Sequence, residues 1–203
     1  MGETGAVMFA GHESLIELGE PPSHGMVTCL PGKEFLPKNI SPMFKSGCKS
    51  IMVWAHVTHN QKGPIIRLNL VPEVTTTTGK KKGGGLNGPR YMCQILNGPL
   101  KDVLDEIEEE EGREVLVIKD GAPCHQSTVA KNICNELRIT NLKHPSSLPD
   151  LNPIEPLWLL LKTCVADIPG LGNSLDGLWA AVQQVWEELS IKNVRKHTSR
   201  MQD

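Results

Sequence analysis

Apolar residues crowd into short runs in the first third of the chain and adopt a helical spacing further on. Residues 6–12 (AVMFAGH) read as a first strand and 13–19 (ESLIELG) as its hairpin partner. Gly, Pro and Ser dominate 20–47, which predicts short irregular strands and loops. Ile51 to Thr58 and Pro64 to Val71 form two further strands, joined by the polar turn 59–63, so the sheet begins antiparallel. The stretch TTTTGKKKGGG at 75–85 can bury almost nothing and reads as a flexible loop insertion, either simply solvated or facing DNA or a partner.

From residue 88 the period changes. Residues 88–110 predict an amphipathic helix or helix pair, broken near Asn97-Gly98-Pro99. A buried strand at 114–119 follows, then a helix over 126–137 and a short strand from Ile139 to Lys143. After a Pro- and Ser-rich loop at 145–153, helices are expected from Ile154 to Val165 and, as the last element, from Ser174 to Leu189. Antiparallel strands followed by alternating helices and strands specify an α/β fold, a mixed sheet flanked by helices.

Composition narrows the class. The chain has 203 residues, 39% of them hydrophobic and 22% charged, with a formal net charge of −2. That suits one globular domain, 1–203, with a sizeable core. No run approaches the roughly 20 apolar residues of a membrane helix, and no signal-peptide pattern opens the chain. A cytoplasmic or nuclear location is expected. The six cysteines form no C-x-x-C pair, and Cys29, Cys48, His56 and His59 match no common zinc spacing. Trp54, Trp158, Trp179 and Trp186 read as packing residues rather than base-stacking platforms.

Two segments carry the chemistry. DGAPCH at 120–125 places Asp120 just past the apolar run 115–118. PDLNPIEPLW at 149–158 places Glu155 beside Pro153, where a helix opens. Asp120 alone fits a turn, and Glu155 alone fits a helix N-terminus whose dipole favours an acid. Together, one acid ending a strand and another opening a helix make a split site for hard cations. Asp150 and Asn152 fit loop shaping or capping, and His125 fits either a site neighbour or a structural histidine.

These strings resemble the catalytic domain of the Tc/mariner superfamily of DDE transposases. The resemblance extends to Val53-Trp54-Ala55 and to the Gly-Leu-Asn-Gly-Pro-Arg-Tyr string at 85–91, and it covers residues 8 to 199. It implies a ribonuclease-H-like fold, with Asp120 as the second catalytic acid and Glu155 as the third, both metal ligands. Two Mg²⁺ (or Mn²⁺) ions, DNA as partner (transposon ends and target), nuclear action and compatibility with a homodimer are further implications. The family's N-terminal helix-turn-helix domains are expected to be absent from this chain.

Aligning Ile16-Glu17-Leu18-Gly19 with the family's first motif puts His12 at the position of the first Asp. Imidazole is a poor ligand for Mg²⁺, so weak or absent activity is expected. Glu13 is the neighbouring acid, but alternation along a strand turns it to the other face. The rival reading is a non-catalytic remnant that binds DNA or a transposase partner.

Overall fold

The computed structural model describes residues 7–18, 49–58, 61–112, 115–142, 152–169, 171 and 174–199. A five-stranded mixed sheet forms its centre, in the order β3-β2-β1-β6-β7. The strands are β1 (Val7–Glu17), β2 (Ser50–Val57), β3 (Ile66–Leu68), β6 (Val115–Ile118) and β7 (Thr140–Asn141). β2 runs antiparallel to both β1 and β3, whereas β6 lies parallel to β1 with Ala10 opposite Ile118. The C-terminal ends of β1, β3 and β6 therefore share one end of the sheet.

β1 is a single eleven-residue strand rather than the expected hairpin. Its ladder with β2 runs unbroken from Ala10 to Glu17, with Gly11 inside it. A Cβ there would lie 2.9 Å from Phe9 Cε1 and 3.3 Å from Trp54 Cζ2, so only glycine lets the two rings close over the strand. β3 is also shorter than the expected 64–71.

Alternation along the strands divides the core into two halves. One face carries Ala10, Ile16, Val53, Ala55 and Val57. It packs on α5 (Glu155–Ala166), α6 (Leu175–Glu188) and α7 (Ile191–Thr198), where the Trp158 and Trp186 rings stack at 5.6 Å. Lys62 caps α6, its ammonium donating to the carbonyls of Trp186, Glu187 and Leu189 and covering orphan acceptors at the helix end.

The opposite face carries Phe9, Trp54, Leu68, Val115 and Val117. It packs on α1 (Gly88–Tyr91), the wide-turned segment Met92–Leu100 that continues it, α2 (Lys101–Glu111) and α4 (Thr128–Glu136). The expected break is present: Asn97 and Gly98 leave helical geometry just before Pro99.

Three further elements differ from expectation. Residues 75–85 include part of a small hairpin, β4 (Val74–Thr75) paired with β5 (Lys81–Lys82). The helix expected over 126–137 splits into α3 (Pro123–Gln126) and α4, because Ser127 is extended and caps α4 through Ala130 N–H. Beyond the expected last helix, Ser190 turns the chain into α7. The predicted irregular region 20–47, Asp150, and the candidate zinc residues Cys29, Cys48 and His59 lie outside the described residues.

Candidate active site

The site forms where β6 ends alongside the middle of β1, which runs on past it to Glu17. Val115–Ile118 is buried because its β-branched residues fill both core halves, and the chain then turns through Asp120. Asp120 Oδ1 accepts the Ala122 N–H at 2.9 Å, an Asx turn that holds the carboxylate in place. Glu155 is the first residue of α5, one residue before Pro156, so the helix opens slightly later than Pro153 suggested. Buried Asn152 prepares that opening: its carbonyl accepts the Glu155 N–H at 3.1 Å.

His12 projects from β1 between the two acids. Its Nε2 hydrogen-bonds Asp120 Oδ2 at 2.8 Å. Its Nδ1 lies 2.9 Å from Glu155 Oε1, close enough for charge attraction but off the line of a well-formed hydrogen bond. The three residues singled out from sequence thus meet at one point.

Strand alternation sends Glu13 to the opposite face, as expected. There it meets His125 of α3, whose Nε2 is 3.1 Å from Glu13 Oε2. The other nitrogen, Nδ1, is 2.6 Å from Asp120 Oδ1. The result is a chain of alternating charge: Glu155, His12, Asp120, His125, Glu13. Tyr91 covers it, its ring 4.5 Å from that of His125.

The electrostatics follow from these contacts. Burial, the largest single influence on His12, favours the neutral ring. The bond to Asp120, the contact with Glu155 and the charge of Glu13 together outweigh it and raise the pKa to about 10. His125 behaves alike: burial opposes its charge, but Asp120, Cys124 and Glu13 push it up to about 12. Both rings are imidazolium at neutral pH. Asp120, beside His12 and His125, is held well below the usual carboxylate range.

A two-ion site does not fit these residues. The imidazolium of His12 occupies the space between the carboxylates that would face the ions. Among the described residues, no three His, Cys, Asp or Glu side chains are arranged to hold a metal.

Residues 93–169 match the DDE superfamily endonuclease family. The Tc1 transposase of Caenorhabditis elegans is 24% identical over 167 residues, 81% of this chain and 53% of that protein. The Tcb1 transposase of Caenorhabditis briggsae is 25% identical over 165 residues, with the same shares. By these matches the chain is similar to Tc1-type transposases and, over residues 93–169, to the DDE superfamily endonucleases. It spans about half the length of those two relatives.

The fold agrees with solved structures. The Mos1 mariner paired-end complex with Mn superposes with a TM-score of 0.66 at 18% identity, covering 96% of this chain and 52% of that one. The catalytic domain of Mos1 mariner transposase gives 0.64 at 16%, covering 96% and 76%. The ribonuclease-H-like fold is thereby established. Sequence reasoning left the role of His125 open and did not see its pairing with Glu13. The only available signal was its spacing five residues after Asp120.

Proposed function

We propose that this domain derives from a transposase that cut and joined DNA, and that it retains the DNA-handling fold while its metal-dependent cleavage is weak. One observation carries the reading: His12 contacts Asp120 at 2.8 Å and Glu155 at 2.9 Å, filling the corner where the family places its first acid. A fixed cation already neutralises the acids there, and a divalent ion entering between them meets an imidazolium. Asp120 and Glu155 remain the ligands of whatever weak Mg²⁺ or Mn²⁺ site persists. Glu13 does not replace the missing acid, because it faces His125.

DNA as the partner is supported by relatives named as transposases and by a neighbour solved as a paired-end complex. Pairing of two copies and nuclear action extend the same analogy. No described helix is long and apolar enough to cross a membrane.

The test is plasmid nicking by the purified chain with Mg²⁺ or Mn²⁺. Wild type should nick little, and His12→Asp should raise nicking by on the order of tenfold or more, since a third carboxylate restores the ligand set. Robust nicking by wild type, lost in Asp120→Ala, overturns the reading. Binding of DNA without turnover in both proteins favours the rival reading, a non-catalytic binding remnant.

A further inference from the structure

The hairpin between β3 and α1 is absent from the charge network at the site, yet it leaves the sheet at the same end. β3 runs parallel to β1 and β6, since β1 and β3 both oppose β2, so its C-terminal end lies on the side of Asp120. The chain leaves Leu68 there and forms β4 and β5 before returning to α1, whose Tyr91 covers His125.

This hairpin has a defined shape. Thr76 N–H donates to the Lys80 carbonyl at 2.8 Å, and Thr76 Oγ1 bonds both the carbonyl and the N–H of Lys80. At its base, Val71 N–H donates to Gly85 O at 3.0 Å and Gly84 N–H to Val71 O at 2.8 Å. Gly83 has φ +99°, and a Cβ there would lie 2.2 Å from Pro72 O, so this crossing requires glycine.

Its chemistry is one-sided. Residues 74–90 contain Lys80, Lys81, Lys82 and Arg90 and no Asp or Glu, with Glu73 the one acid adjoining the hairpin, in a chain whose net charge is −2. Thr75 to Thr78 are exposed and add hydroxyl donors. No aromatic residue occurs in 74–85 to stack on a base. Cations and hydroxyls without aromatics suit the sugar-phosphate backbone, which binds through charge neutralisation regardless of sequence.

We infer that the Val74–Lys82 hairpin is a finger that grips the DNA phosphate backbone beside the site, independently of base sequence. The inference rests on the reading of this domain as a DNA-handling fold.

The test measures binding of the whole chain to two duplexes of unrelated sequence across a salt series. The variants are the triple Lys80→Gln, Lys81→Gln, Lys82→Gln and the added cation Thr77→Lys. Removing the lysines should flatten the slope of log affinity against log salt by about 2 to 3, equally for both duplexes. Thr77→Lys should steepen it by about 0.9. Its gain of binding cannot arise from misfolding, and unchanged thermal midpoints check the triple variant. Wild-type slopes retained by both variants overturn the finger and leave the DNA-handling reading standing. No DNA binding by wild type overturns both.

Discussion

The two faces of β1 each hold a histidine wedged against acids, but in opposite surroundings. On one face Glu13 and His125 are closed in, their side chains 10% and 3% exposed. On the other, His12 holds Asp120 and Glu155, which remain 37% and 34% exposed. Similar chemistry thus serves two ends. The closed pair must be satisfied for the fold to stand, whereas the open pair faces solvent. Asp120, sharing one oxygen with each histidine, joins the two.

Breaking the closed pair should have the largest effect. Glu13→Gln leaves the His125 imidazolium short of a partner in a buried place and should cost about 3–5 kcal/mol in urea unfolding. A loss no greater than that of a surface ion pair would erase the contrast between the faces.

The closed face also governs acid stability through His56. Stacked on Phe9 at 4.7 Å and buried, its ring is lowered by desolvation to a pKa of about 4. The unfolded chain takes up that proton near pH 6.5, the folded one only near 4. Stability is therefore full above 6.5 and declines as pH falls toward 4, by up to about 3 kcal/mol. His56→Phe should flatten this acid limb when thermal midpoints are compared between pH 7 and 4.

Gly63 presses against the same ring, and a Cβ there would lie 1.8 Å from His56 Cε1. Gly63→Ala should destabilise by about 2 kcal/mol through overpacking, visible as a lower urea midpoint. The open face should respond least. Glu155→Gln removes a solvent-screened partner of His12 and should cost under about 1 kcal/mol. A loss matching that of Glu13→Gln would show that both faces are structural.

Sequence exposed the open face better than the closed one. Asp120 and Glu155 sit in local strings whose residue types reflect a turn and a helix start, and the strand period placed His12 opposite Glu13. The meeting of Glu13 with His125 depends on how α3 packs over the sheet, a long-range fact that no local period carries. Likewise, the continuity of β1 depends on its long antiparallel pairing with β2, another non-local contact. The hairpin at 74–82 was hidden because Thr, Lys and Gly lack the apolar alternation that marks buried strands. Its order comes from cross-chain backbone bonds instead. α7 escaped notice because only Leu189 and Ser190 separate it from α6.

The most direct measurement is calorimetric titration of Mn²⁺ into wild type and His12→Asp, with Asp120→Ala as a blank for specific binding. If His12 stands where the family's first acid would hold metal, wild type binds weakly. His12→Asp should then gain at least about tenfold in affinity, equal to about 1.4 kcal/mol. Tight binding by wild type, unchanged in His12→Asp, would contradict the account.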